Sequence, residues 1–358
     1  RGRGRGRVRV RRPRRARRFL RGDQRHDRLA ALHGVDDGRR RARANVAPGD
    51  TPRLPTLDAL VRRRLRPSCR AALPLPVRSS ADRRASKTRW TRPAGCESEA
   101  HDRTAIELPG KQVELVSKLA AATDAPLVCV LVHGGAVALG EAWTECDAVV
   151  DLWVPGQTGG AALADVLFGD VSPAGRAPYT FYSRTADLSA PMGEFDESTH
   201  NGTTYRYYVG PEPTIAFGDG LSYTSFAYAW ASSPPATIAP CDAVSLVVNV
   251  TNTGAATSDE VVQVYAEVPD AALPAPNVRL VAFERIRDVA PGATTTVTLT
   301  VSPESHASVD PDPASVYNER LVVETGRLVL SVGGGQPGRA PGVAATVNVT
   351  SARLLGEC

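Results

Sequence analysis

Three carboxylates and a guanidinium, Glu97, Glu99, Asp102 and Arg103, fall within one seven-residue stretch. A carboxylic acid held against a reacting oxygen can give up its proton and later take one back, and a neighbouring arginine can hold a second oxygen in place. Taken by themselves, acids near an arginine are solvated loop carboxylates, and Asp102 with Arg103 reads equally as a structural ion pair or a helix cap. His133 follows an apolar run and precedes two glycines. That position lets an imidazole point into a cleft at the carboxyl end of a sheet, although a satisfied loop histidine explains it as well. Trp153, Tyr205 and Tyr207 are large rings able to stack on a flat ligand, or simply to fill a core. The segment PGQTGG, residues 155 to 160, has the glycines of a phosphate cradle but lacks the Lys-Ser/Thr ending, so it reads as close backbone packing at a helix start.

These side chains need elements to carry them. In PGKQVELVSKLAAAT, Val113, Val116, Leu119 and Ala120 share one helical face, with Pro109 near the start. The runs LVCVLV (127 to 132) and DAVVDLWV (147 to 154) end in Gly or Pro-Gly and predict buried strands, and GGAALADVLFG (159 to 169) predicts a further helix. The order helix, strand, helix, strand, helix predicts an α/β layered domain. Residues 171 to 220 read as an extended connection rich in Pro, Gly and Tyr. Beyond Leu221 the period becomes two. The segments 244–252, 260–268, 278–286, 295–301 and 327–333 alternate or run apolar between turn residues, which predicts an antiparallel sandwich of fibronectin type III kind.

Residues 1 to about 94 have a different texture. The first 100 residues hold 29 Arg and one Lys against nine acids, while the rest holds 13 bases against 29 acids, so the formal charge of +5 describes neither part. An Arg, Ala, Pro and Gly segment with such charge is expected to be disordered. It reads either as an arginine-rich arm for nucleic acid or as the product of a wrong reading frame in a GC-rich gene. The lack of interleaved aromatics weighs against the arm, and no nucleic-acid partner is expected. No run approaches the roughly eighteen apolar residues of a membrane span, so no membrane partner is expected either. Six cysteines without a CxxC spacing argue against a zinc site, and their pairing is open. Three N-x-S/T triplets, at Asn201, Asn249 and Asn348, permit glycosylation in a secreted protein.

Four stretches together resemble family 3 glycoside hydrolases: ESEAHDRTAIELPGKQVELV (97 to 116), VLVHGGAVAL (130 to 139), WVPGQTGGAALADVLFGDVSPAGRAPYTFY (153 to 182) and TYRYYVGPEPTIAFGDGLSYTSFAY (204 to 228). With NTGAATSDEVVQVYAEV (252 to 268), the likeness covers about 95 to 335, and its wording is similar to the β-xylosidase branch of a family that also holds β-glucosidases. After the Arg-rich disordered or mis-framed segment over 1–94, the resemblance implies a family 3 carboxy-terminal α/β domain over 95–220 and a fibronectin type III-like domain over 221–350. It implies a retaining exo-acting β-glycosidase, a xylan-type or β-glucan-type substrate, no cofactor, no metal, and a secreted, vacuolar or cell-wall location.

Retaining glycosidases use one carboxylate as nucleophile and a second carboxylic acid as acid/base. In the family the nucleophile lies in an amino-terminal barrel and the acid/base Glu three residues before an Asp-Arg pair. That selects Glu99 here, with Glu97 as fallback, and makes Asp102, Arg103 and His133 candidate substrate contacts. Nothing in residues 1–94 resembles a barrel of roughly 250 residues, and SSADRRASKTRWTRPAG (79 to 95) stands where an apolar strand is expected. The expectation is therefore a glycosidase fragment, inactive by itself. The alternative is a non-catalytic carbohydrate-binding or interaction module.

Overall fold

The computed structural model describes residues 103–188, 190–191, 193–311 and 319–358. The expectations for residues 1–94, and for Glu97, Glu99 and Asp102, lie outside them. Residues 105–358 form one compact unit.

Its first part follows the expected alternation: helix α1 (Gln112–Ala122), strand β1 (Val128–Leu131), helix α2 (Ala142–Glu145), strand β2 (Ala148–Asp151) and helix α3 (Gly159–Phe168). Helix α3 ends at Gly169, whose φ of 82° is the left-handed stop that glycine adopts without strain. Strands β1 and β2 pair in parallel, Val130 opposite Val150, and a disulfide joins Cys129 in β1 to Cys146 just after α2. The sequence predicts both strands buried, yet they are only half-buried and Val128 is 43% exposed. A parallel pair needs cover on both faces and both edges, and among the described residues neither strand has a second neighbour. The same shortage shows on α1, where Val113, Val116 and Ala120 are half-buried but Leu119 is 45% exposed.

From residue 171 to 225 the chain is a connection with a short 3-10 turn, Thr185–Asp187, and one turn of helix, α4 (Thr204–Tyr207). Then come β3 (Phe226–Trp230), β4 (Thr237–Ile238), β5 (Val244–Asn252), β6 (Ser258–Glu267), β7 (Arg279–Val289), β8 (Thr294–Val301), the one-turn helix α5 (Pro303–His306), β9 (Ser308–Pro311), β10 (Glu319–Val323), β11 (Gly326–Gly333), β12 (Gly342–Val349) and β13 (Arg353–Leu354). A five-stranded sheet, β4-β12-β11-β6-β7, and a three-stranded sheet, β3-β5-β8, contribute to one apolar core.

Strand β5 shows why these residues make strands: Val244, Leu246, Val248 and Val250 are fully buried at every second position, while the positions between face outward. Val262 and Val264 of β6 and Leu330 and Val332 of β11 are equally inaccessible. Each such side chain contributes about 1.5 to 3 kcal/mol of transfer free energy. A second disulfide, Cys241 to Cys358, fixes the end of the chain to the residues entering β5.

Candidate functional site

The segment following the acidic cluster is the first fixed point of the site. Ala138 donates its N–H to the Ile106 carbonyl at 2.7 Å, and Leu108 donates to the Ala138 carbonyl at 3.2 Å. Ala138 lies between Val137 and Leu139, all three buried, so this strap sits on the most enclosed part of the α/β half. Glu107 fastens it from the other side. Its carboxylate accepts from the Thr185 N–H at 2.8 Å and the Thr185 hydroxyl at 2.5 Å, while that hydroxyl oxygen accepts from the Ile106 N–H at 2.9 Å. These hydrogen bonds, the Thr185 hydroxyl first, hold the Glu107 carboxyl below its ordinary range. The described chain is thus anchored just past Arg103, which is itself half-buried.

His133 stands two residues beyond β1, at the carboxyl end of the parallel pair. Nδ1 lies 2.7 Å from the Gly135 carbonyl and Nε2 lies 2.8 Å from Oδ1 of Asp151, the last residue of β2. Both partners are acceptors, so whichever ring nitrogen carries a proton donates to one of them. The side chain is 9% exposed, and its ring packs 5.0 Å from that of Trp153 and edge-on to Phe181 at 6.4 Å. Trp153 meets Tyr179 edge-on at 5.5 Å, and Tyr179 stacks on Phe181 at 4.3 Å. His133, Trp153 and Asp151 are therefore brought together at one strand end, while Tyr205 and Tyr207 are placed elsewhere. The Tyr205 ring stacks on Phe217 at 4.0 Å and its hydroxyl accepts from the Leu280 N–H at 3.1 Å. Tyr207 lies under the Arg206 guanidinium, 5.8 Å from its centroid.

Trp153 has a φ of 52°, a left-handed conformation that a bulky side chain adopts at a cost of about 1 to 3 kcal/mol. The turn it opens is the PGQTGG segment. A Cβ on Gly159 would collide with the Pro155 ring, so this glycine is required for close packing at the α3 start and no phosphate cradle is needed to explain it.

Among the described residues no group of His, Cys, Asp and Glu could hold a metal ion, and no helix is long and apolar enough to cross a membrane. A groove of about 380 Å³ runs between β7 and β8, far from His133 in sequence and lined by one ionisable side chain, Glu284. A buried polar group that the sequence does not advertise is Glu260 in β6, paired with Arg176 and Tyr228. Its partners lie 84 and 32 residues away, and Glu260 by type belongs on a surface.

Residues 81–223 match the "Glycosyl hydrolase family 3 C-terminal domain" and residues 260–336 match the "Fibronectin type III-like domain". The first match begins ahead of Gly95, inside the stretch SSADRRASKTRWTRPAG. The chain is 39% identical over 207 residues to a xylan 1,4-beta-xylosidase of Xylanibacter ruminicola, covering 57% of this chain and 22% of that protein. It is 33% identical over 248 residues to beta-D-xylosidase 1 of Arabidopsis thaliana, covering 60% of this chain and 32% of that one.

Among solved structures, a family 3 exo-beta-xylosidase in complex with a xylobiose aziridine probe superposes with a TM-score of 0.62 at 27% identity, over 72% of this chain and 35% of that one. A beta-glucosidase from Kluyveromyces marxianus gives 0.61 at 27% identity, over 72% and 30%. The chain thus spans about a quarter to a third of the length of these relatives. The motifs, the α/β layer, the β-sandwich and these likenesses agree: the chain carries the carboxy-terminal domain of glycosyl hydrolase family 3 followed by its fibronectin type III-like domain.

Proposed function

We propose that the chain is the carboxy-terminal part of a retaining, exo-acting β-glycosidase that hydrolyses xylan-type or β-glucan-type saccharides, β-xylosidase-like in preference. The observation that carries this reading is the match over residues 81–223, because that range includes Glu99 and the Asp102-Arg103 pair. In this reading Glu99 protonates the leaving glycosidic oxygen and later removes a proton from the attacking water, with Glu97 as the fallback for that role. The nucleophilic carboxylate comes from a barrel domain on the other side of the sugar, about 5 to 5.5 Å from the acid. Asp102, Arg103 and His133 are proposed to set the loop and the strand end against the sugar. Two disulfides, Cys129 to Cys146 and Cys241 to Cys358, favour a secreted, vacuolar or cell-wall setting.

The 358-residue chain by itself is expected to show no turnover of an aryl β-xyloside or β-glucoside, because an acid without its nucleophile contributes little. Turnover by this chain that disappears in Glu99→Gln would overturn the division of labour and require a nucleophile inside it.

A further inference from the structure

The outer face of the three-stranded sheet is free of ionisable side chains. The outward positions of β8 are Thr294, Thr296, Thr298 and Thr300, all exposed. Strand β5 sets Thr251 opposite Thr294 and Asn249 opposite Thr296, and Ala229 of β3 lies opposite Asn249 on the other side. The water-facing positions of β7, by contrast, carry charge, with exposed Glu284, Arg285 and Arg287. The β3-β5-β8 face is therefore a neutral surface of hydroxyl, amide and methyl groups.

At its centre lies the triplet Asn249-Val250-Thr251. Val250 is wholly buried, so the alternation of the strand turns Asn249 and Thr251 outward together. The Thr296 hydroxyl donates to Oδ1 of Asn249 at 2.8 Å, which fixes the amide plane, and Nδ2 donates to no group among the described residues. The other two triplets are placed differently. Asn348 in β12 turns its Nδ2 toward the Ala236 carbonyl at 3.5 Å, and Asn201 sits in a turn before Gly202.

We propose that Asn249 is an N-glycan attachment site, presenting its glycan on this neutral face. Nδ2 loses a proton and bonds the anomeric carbon of the first sugar, displacing the polyprenyl pyrophosphate of a lipid-linked oligosaccharide donor. Oδ1 keeps its hydrogen bond to Thr296, so the attachment needs no change in the sheet. Neutral sugar hydroxyls suit a surface of threonine hydroxyls, whereas a charged face would hold its own water shell. The inference rests on the secretory setting proposed above.

The test is translation of the full chain behind an endoplasmic-reticulum signal sequence in the presence of microsomes, followed by release with peptide N-glycosidase in heavy-oxygen water and peptide mass spectrometry. Asn249 is expected to convert to heavy-labelled Asp in most translocated chains, to stay unconverted in Thr251→Ala, and to convert in Thr251→Ser. Unconverted Asn249 in translocated wild-type chains, or conversion that persists in Thr251→Ala, overturns the site. Microsomes impose the secretory setting, so that failure is distinct from a failure of the proposed location, which fractionation of the source cells reads separately.

Discussion

Arg176 reaches both carboxylate oxygens of Glu260 with one guanidinium nitrogen, Nη2, at 2.8 Å each, and so ties the connection after α3 to the middle of the β-sandwich. Tyr228 donates its hydroxyl to Oε1 of the same carboxylate at 2.8 Å, and the Glu260 side chain is 3% exposed. Burial pushes the Glu260 carboxyl above its ordinary value, with Arg176 and the Tyr228 hydroxyl pulling against it. The triad is incompletely satisfied, because Nε and Nη1 of Arg176 have no hydrogen-bond partner among the described residues.

Breaking this pair from one side is therefore expected to be severe. Arg176→Met leaves a buried carboxylate without its cation and should destabilise the chain by about 3 to 5 kcal/mol. The double variant Arg176→Met with Glu260→Leu should fall within roughly 2 kcal/mol of the wild type, since desolvation of both charges is removed together. Chemical denaturation of the two variants checks this. A single variant as stable as the double one would show that the pair is screened by solvent after all.

Strands β5, β8 and β11 were readable because their buried residues are local alternations of Val and Leu that turn residues bound on either side. Strands β3, β10 and β12 are not legible in the sequence: FAYAW and GVAATVNV are too rich in Ala, and ERLVV too short, for the period to stand out. Leu119 follows the helical period and is still exposed, because a period fixes which residues share a face and says nothing about whether a second layer covers it. For the site, His133 was legible as a residue at a strand end, but its partner Asp151 lies 18 residues on and is chosen by the parallel register of β1 and β2. The Glu260 triad is a three-body contact between distant segments, for which no local pattern exists.

His306 offers a pH test. It is buried, its Nε2 has no hydrogen-bond partner among the described residues, and it lines a void of about 10 Å³ together with Arg279 and Ala266. Burial first, then the Arg279 charge, lowers its pKa from 6.5 to about 4, with Glu304 on its own helix acting weakly the other way. The unfolded chain therefore binds a proton that the folded chain refuses between these values. Stability from this residue is complete above pH 6.5, falls as pH drops, and is about 3 kcal/mol lower below pH 4. His306→Leu should flatten that part of the profile between pH 4 and 6.5, measured as the denaturation midpoint in each buffer. An unchanged slope would mean that other groups govern the acid limb.

Gly218 has a φ of 82°, and a Cβ there would run into the Tyr265 hydroxyl and Oε1 of Gln263. Those groups are committed: Tyr265 donates to Gln263 at 2.6 Å, and the Gln263 amide donates to the Gly218 and Gly334 carbonyls at 3.1 Å each. Gly218→Ala is expected to lower stability by about 1 to 3 kcal/mol through the left-handed backbone and the displaced hydroxyl. A melting temperature equal to that of the wild type would contradict the close approach.

The Cys241 to Cys358 disulfide closes a loop of 117 residues in sequence separation, which covers nearly the whole sandwich. On the chain-entropy account its removal in Cys241→Ser with Cys358→Ser should destabilise the sandwich by about 4 to 5 kcal/mol, since a long loop regains the most freedom when opened. Denaturation midpoints of oxidised wild type and the double variant check it, and equal midpoints would place the stabilisation elsewhere.

The most direct measurement joins this chain, from residue 81 onward, to the barrel portion of a family 3 β-xylosidase and follows hydrolysis of aryl β-xylosides with good and poor leaving groups. The account predicts activity in the chimera and loss of it in Glu99→Gln, the loss being at least about 100-fold for the poor leaving group and smaller for the good one, because the missing proton matters most where the departing oxygen is basic. An active chimera whose hydrolysis of both substrates is unchanged in Glu99→Gln and in Glu97→Gln would contradict it.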